Sequence, residues 1–494
     1  MELTDRKDVA ATVVDGEARS GASRVRRLAQ VIFVLLCVET LFSLPYRSIY
    51  LLRQSAFQAW IAAILVLIII CACFAIRKPI LRTMGHLLLA PSISNKLWLS
   101  FWLIFGLALR LLWALCFPVT LTSDNLIYFD VAAKMAFGQN IASVFNPPGL
   151  SLFLAPFIMV FGARAWVPLL CALLLFVATY FFTYALAARI QGGLAARIAP
   201  LLVAVWPCYF TLVGVNSKET LLAALVPAAL YFYLKASGPK EEKFHWGYVI
   251  AAGLCMGFAA LTQPGYLLFP SVLAGFELLR FRGLLKAAAR VTVFVVAMLA
   301  TVLPWTYRNY LVFHRVVLIS TNGGSVFYRA NNPNANAQYE PENQAPLPQD
   351  EFEADKQGYK MADEWIMHNP RAFAVLMVRK QVVFLGDDAM GAFETLKFHI
   401  DHPSRFYAPA KAISNLFWLV FWTVLLLGFP ILFSLESWRI WFGLLFIPFL
   451  YQWAIDSVFE SGPRHHVPYV ALLAVLAGMV LNSASQVKSI TLQD

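Results

Sequence analysis

Apolar residues run through this chain in long blocks separated by short polar linkers. Segments 28–44, 58–76, 97–118, 165–188, 198–214, 219–236, 246–263, 265–280, 288–305, 413–434, 438–455 and 467–483 carry few charges. At about 1.5 Å of rise per residue, blocks of this length cross or nearly cross roughly 30 Å of hydrocarbon. A further apolar stretch, Pro147–Gly162, is shorter and opens with Pro-Pro. Lys and Arg collect in cytosolic loops, and Arg24, Arg26 and Arg27 precede the first block. Linker 77–96 holds Arg77, Lys78, Arg82 and Lys96 without an acid. If Pro147–Gly162 lies along the surface instead of crossing, Arg189, Arg197 and the Lys235–Lys243 and Arg280–Arg290 linkers all fall on that same side. The pattern therefore predicts an α-helical polytopic protein with about twelve transmembrane helices and both termini cytosolic.

The boundaries follow. Residues 1–27 form a cytosolic tail, 28–305 a transmembrane domain with its first outer loop at 119–164, and 413–483 the C-terminal membrane helices before a tail at 484–494. Between them, 306–412 is the one large polar block. It starts with a β-branched run, passes through a Gly/Asn/Pro-rich region, and continues into an amphipathic helix around Glu351–His368 ended by Asn369-Pro370. Those signals predict a small mixed α/β extracytoplasmic domain. No internal repeat suggests the inverted halves of many transporters.

Composition agrees. Hydrophobic residues make up 60% and charged residues 14%, against roughly a quarter charged in soluble domains. The net charge of +11 sits largely in short linkers, and no nucleic-acid-binding motif accompanies it. The seven cysteines all lie in apolar segments and show neither a CxxC nor a Cys/His zinc spacing.

Candidate chemistry concentrates in 119–164, the first substantial polar interruption. Asp124 opens it, Tyr128 and Asp130 follow, and Asn146-Pro147-Pro148-Gly149 closes it. Asp124 is placed either to cap a helix over 125–137 or to act as a carboxylate at the bilayer surface. Asp130 falls on another face of that helix and reads as surface polarity, while Tyr128 shares the face of Asp124 or anchors at the interface. The topology brings Lys218 and Glu219, Gln263, Arg308 and the stretch Gly462–His466 to the same membrane face. Glu219 there complements a helix N-terminus or meets a ligand. Arg308 and Arg464 suit phosphate, since guanidinium grips it with paired hydrogen bonds, or they snorkel at the interface. His465 and His466 lack a third metal ligand in view. Arg110, within a membrane segment, must face the bundle interior, with Glu39 a candidate partner.

Several stretches in order resemble the C-type glycosyltransferases, polytopic enzymes related to protein O-mannosyltransferases and lipid A aminoarabinose transferases. They are Ser123-Asp124 with Tyr128, Asn146–Gly149, Asn216–Thr220, Leu303–Tyr310, Asn331–Ala335, and Gly462–His465. Gln263 stands where that branch usually has Arg, and His465 where it has an aromatic. The likeness covers roughly 97–480, and the two helices before it look like an addition.

The resemblance implies inverting transfer of a sugar from a polyprenyl-phosphate donor to a lipid, glycan or protein acceptor on the non-cytosolic face. Asp124 would be the general base for the acceptor hydroxyl. Tyr128, Asp130, Asn146, Pro147, Lys218, Glu219, Arg308, Arg464 and His465 are the candidate substrate-binding residues. No metal or other cofactor is expected, the partners are membrane lipid, donor and acceptor, and the location implied is a bacterial inner membrane. A lipid-linked sugar flippase is the competing class, and a glycan ligase or polymerase a variant within the same chemistry.

Overall fold

A computed structural model describes residues 5–88, 93–236, 245–280, 283–337, 346–400 and 403–486, with side chains from Ser23 onward. Residues 1–4 and 487–494 of the two predicted tails, and the Lys240–Lys243 stretch, lie outside the described residues. The chain opens with α1 (Asp5–Arg53), α2 (Ala56–Ala75), α3 (Arg77–Leu87) and α4 (Asn95–Cys116), followed by α5 (Ser123–Ala136) and α6 (Gly149–Phe161). Then come α7 (Val167–Ile190), α8 (Ala195–Val205), α9 (Pro207–Thr211), α10 (Lys218–Ala236), α11 (Trp246–Thr262), α12 (Pro270–Arg280) and α13 (Leu284–Phe313). Helices α14 (Gly323–Ala330), α15 (Glu351–His368) and α16 (Pro370–Leu385) build a cap. The chain closes with α17 (Met390–Phe393), α18 (Tyr407–Ser434), α19 (Trp438–Trp441), α20 (Ile447–Val458) and α21 (Val470–Gln486).

Among the described residues, nine helices are long and apolar enough to cross a membrane, which makes this an integral membrane protein. The sequence pattern predicted about twelve, and the difference lies in three segments. Segment 198–214 breaks at Trp206-Pro207, where α8 stops and α9 begins. Segment 265–280 starts as a 3₁₀ turn, Pro264–Leu268, before the short α12. Segment 246–263 forms α11, whose 17 residues rise only about 26 Å. Helix α6 has 13 residues, about 20 Å, and is too short to span, in line with a stretch that dips without crossing. It is held close by Gly149, where a Cβ would lie 2.2 Å from Thr262 Oγ1 and 2.5 Å from Thr262 N.

The bundle packs around its last helix. In the span Val467–Gln486, 94% of the apolar window is buried, whereas in α4 the figure is 11%, so α21 is the hub and α4 a lipid-facing rim. The N-terminal pair is not loosely appended: Phe33 of α1 is fully buried against the rings of Phe433, Trp441 and Phe446. Arg110 does not use Glu39 as its partner. It donates to the carbonyls of Gly106, Val203 and Ala204 and lies 3.6 Å from the Phe176 ring centroid. Pro207 has no N–H to offer Val203, and Arg110 takes the carbonyls that the break in α8 leaves open.

The described part of 306–412 contains no strand, so the mixed α/β expectation gives way to a helical cap. The β-branched run is irregular chain with bends, and its carbonyls accept from side chains of α13. Asn309 Nδ2 donates to Val317 O at 3.1 Å, Thr306 Oγ1 to Leu318 O at 2.8 Å, and Trp305 Nε1 to Ile319 O at 2.9 Å. With those acceptors satisfied, no partner strand is needed.

Candidate active site

Four separate parts of the chain meet at the cap end of the bundle. The first is the start of α5. Asp124 is exposed in its first turn, Asn125 and Tyr128 are buried, and Asp130 is exposed beyond them. Ser123, just before Asp124, has φ +53, a left-handed conformation that a residue with a Cβ enters at a cost. Ser151 of α6 donates to the Tyr128 carbonyl at 2.8 Å, so the Pro-Pro turn and α5 move as a unit. The loop between them is tied to the cap. Glu351 accepts from Ser143 Oγ at 2.6 Å and Val144 N at 3.1 Å, and Thr321 N donates to Val144 O at 3.0 Å.

The second and third parts bring carboxylates to Arg464. Glu219, in the first turn of α10, takes the Ser217 hydroxyl and lies 3.3 Å from Arg464 Nε. Glu394, at the head of a widened π turn over Glu394–Phe398, lies 3.4 Å from another guanidinium nitrogen of Arg464. Both acids are almost wholly buried, while the Arg464 side chain keeps 28% exposure. Burial works to lower the Arg464 pKa, but Glu219, Glu394, Glu460 and Asp124 together hold it above its ordinary value. The same field acts on Tyr128. Burial raises its phenol pKa first, Asp124 and Glu219 add to the rise, and Arg464 offsets part of it. Asp124, Tyr128, Glu219 and Arg464 thus share one electrostatic neighbourhood.

His399 completes the cluster. Its Nε2 lies 2.7 Å from Glu394 Oε2 and 2.9 Å from the Asn125 amide, and its Nδ1 lies 2.6 Å from Thr122 Oγ1. Asn216 Nδ2 donates to Asn125 O at 2.9 Å, which fastens the start of α10 to α5.

The fourth part is the stretch before α21. His465 Nδ1 lies 2.9 Å from Asp456 Oδ2. His466 turns the other way, its Nε2 2.7 Å from Asp388 Oδ1, with Trp418 stacked on its ring. Trp206 Nε1 donates to Asp388 Oδ2 at 3.1 Å. Burial raises Asp388 to about 6, against the pull of His466 and Trp206. Cys208 joins them: Cys208, Asp388 and His466 each offer an atom within 4.8 Å of the others. These are the ligand types of a transition-metal site. However, two ligands of a tetrahedral zinc stand about 3.3 Å apart, and the 2.7 Å His466–Asp388 contact is a hydrogen bond. The trio reads as a buried brace for the loop that carries Arg464.

Other predicted residues stand nearby in different settings. Lys218 is half-buried beside Glu219. Arg308 donates to Ile141 O at 2.8 Å and to Asn309 Oδ1, and lies over the Trp305 ring, all neutral groups. Tyr128, Asn146, Pro147, Pro148, Trp305 and Lys134 line a cavity of about 160 Å³ between α5, α6 and α13. Lys380, buried in α16, donates to Asn331 Oδ1 and Val458 O and so joins the Asn-rich loop to the end of α20. Burial lowers its pKa to about 7.

Sequence reasoning missed Asp388, Glu394 and His399, and read Cys208 only as an apolar-segment cysteine. The linear signal of the first three is a set of acidic and histidine positions before α18, which spacing alone does not connect to residue 124 or 466.

This arrangement is a helical membrane bundle with a cap and, at its cap end, a cluster of carboxylates built around one arginine. A family model described as dolichyl-phosphate-mannose-protein mannosyltransferase matches residues 146–307. Among solved structures, the apo oligosaccharyltransferase of Archaeoglobus fulgidus aligns with a TM-score of 0.50 at 15% identity, over 79% of this chain and 50% of that one. ArnT from Cupriavidus metallidurans bound to undecaprenyl phosphate gives 0.41 at 16% identity, over 79% and 78%. The chain spans about half the length of the oligosaccharyltransferase it matches. No curated protein sequence matches it. Residues 146–307 thus match a mannosyltransferase family model, and the chain shares its overall fold with the oligosaccharyltransferase.

Proposed function

We propose that the chain is an inverting glycosyltransferase. It moves a sugar from a polyprenyl-phosphate donor to a lipid, glycan or protein acceptor on the membrane face that carries the cap. The observation that carries this reading is Asp124: an exposed carboxylate within electrostatic range of Arg464, beside the cavity that Tyr128 lines. In such a transfer the acceptor oxygen attacks the anomeric carbon, the bond to the phosphate oxygen breaks, and the hydroxyl proton goes to the base. Asp124 takes that proton.

The departing phosphate gains charge and needs cations aimed at it. Arg464 is balanced by Glu219 and Glu394, so it orients the site as much as it attracts an anion. Lys218, and Arg308 among its neutral partners, supply the positive charge that remains. With side-chain cations in these places, the reaction proceeds without a metal. Chelation should leave transfer unchanged. Loss on chelation with recovery on adding a divalent cation would shift the phosphate from side chains to an ion held by the acids.

The direct test is transfer of labelled sugar from a polyprenyl-phosphate donor by the purified protein in lipid. Asp124→Asn should cut turnover by about 10²–10⁴-fold while the thermal transition stays in place. Retained turnover would remove Asp124 as the base.

A further inference from the structure

The hydrogen bonds around residue 124 are unusual for a helix start. Thr122 occupies the N-cap position of α5, where a hydroxyl ordinarily accepts from the first free N–H groups. Here it makes no capping bond. Its hydroxyl goes instead to His399 Nδ1 at 2.6 Å. Ser123 then turns through φ +53, and Asn125 returns to the other nitrogen of the same imidazole at 2.9 Å. One histidine ring therefore grips the residues on both sides of Asp124, at the expense of a cap and of an unstrained backbone. Local strain of this kind persists where the surroundings over-determine it.

The far side of the ring leads to the arginine. His399 Nε2 lies 2.7 Å from Glu394 Oε2, and Glu394 Oε1 lies 3.4 Å from Arg464. One imidazole thus joins Thr122 at Nδ1 to Asn125 and Glu394 at Nε2, so the start of α5 and the partner of Arg464 are held by the same ring. The ring is fully buried, edge-on to Phe398, and His399 N donates to Glu394 O at 3.1 Å, so neither residue of the pair has freedom to drift.

We propose that His399 is a positioning residue: through Thr122 and Asn125 on one side and Glu394 on the other, it fixes the separation between Asp124 and Arg464. This rests on the reading of Asp124 as the base. Its buried ring touches no substrate, and its effect is on geometry. A displacement of about 1 Å between reacting groups can cost on the order of 10²-fold in rate.

The test is steady-state transfer by the full-length protein in lipid nanodiscs, with kcat and donor KM measured separately and the thermal transition followed alongside. His399→Ala should lower kcat by about 30–100-fold with donor KM within about threefold. His399→Gln, whose amide can accept from Thr122 and donate to Glu394, should recover much of that loss. Asp124→Asn combined with His399→Ala should be no slower than Asp124→Asn alone, because the histidine acts through the aspartate. Should His399→Ala fail to fold, Thr122→Val removes the same hydrogen bond at equal volume and should lower kcat by about 3–10-fold. If Asp124→Asn is inactive and both His399→Ala and Thr122→Val keep wild-type kcat, the positioning role is wrong and the base assignment stands. If Asp124→Asn retains transfer, the reading beneath it falls first. Equal loss in the Ala and Gln variants, tracking the folded fraction, would reduce His399 to a structural part.

Discussion

Two ion-paired clusters in this protein are built from similar groups and differ in what they leave open. Where α12 meets α13, Glu277 accepts from Arg290 and from the Tyr233 hydroxyl, each at 3.0 Å, with Tyr233 edge-on to Phe276 and Phe294. The Glu277 side chain is 1% exposed. At the cap end, Arg464 meets Glu219 and Glu394, but the arginine stays partly exposed and Asp124 beside it is exposed. The first cluster is closed, with one acid, one base and a hydroxyl satisfying each other. The second has more carboxylates than cations and leaves Asp124 exposed and Arg464 partly so. Buried charge by itself therefore does not mark a site, since pairs of this sort also hold helices together. An excess of one sign at an opening is the more telling feature. The closed pair also gives no support to a flippase, because Glu277, Arg290 and Arg110 are all engaged where they stand.

The comparison can be broken most sharply at Arg464. Arg464→Ala should reduce transfer by more than about 100-fold and lower stability by about 3 kcal/mol, since Glu219 and Glu394 would stay buried without their counter-charge. Turnover and thermal unfolding of the same preparation check both. Glu277→Ala should bring a similar loss of about 3 kcal/mol by removing the buried carboxylate that pairs with Arg290, yet leave turnover per folded molecule unchanged. A drop in specific turnover there would erase the distinction between the clusters. The smallest effect is on pH dependence and belongs to Lys380. Its folded pKa of about 7 lies below the ordinary value for lysine. Between those values the unfolded chain binds the extra proton, so stability should climb with pH above about 7, by at most about 1.4 kcal/mol per unit. Unfolding midpoints from pH 7 to 9 should rise, and Lys380→Met should flatten the rise.

Parts of the site were readable from the chain alone because they depend on local order. Asp124 and Tyr128 sit one helical turn apart and share the field of Glu219 and Arg464. The basic linkers also lead to the expectation that residues 216–219, 308 and 461–466 share a face with residue 124, and the contacts of Asn216 with Asn125 and of Glu219 with Arg464 draw part of that set together. Arg308 and Arg464 looked alike as phosphate ligands, and only the fold separates them: one lies among neutral groups and the other between two glutamates. The β-branched run before the cap suggests a strand by composition, and the fold leaves it as irregular chain. Its partners turned out to be Trp305, Thr306 and Asn309, side chains that no pairing rule anticipates.

The sequence by itself determined that this is a polytopic membrane protein, where its polar block lies, and which acidic residue opens the first polar loop. Those follow from hydropathy and charge, which act residue by residue. Tertiary structure decided that Trp206-Pro207 breaks a segment long enough to span, that Arg110 serves the carbonyls left there, and that His399 and Glu394 stand between Asp124 and Arg464. Contacts such as that between residues 122 and 399 cross most of the chain. Only packing the bundle around α21 brings their ends within hydrogen-bonding distance.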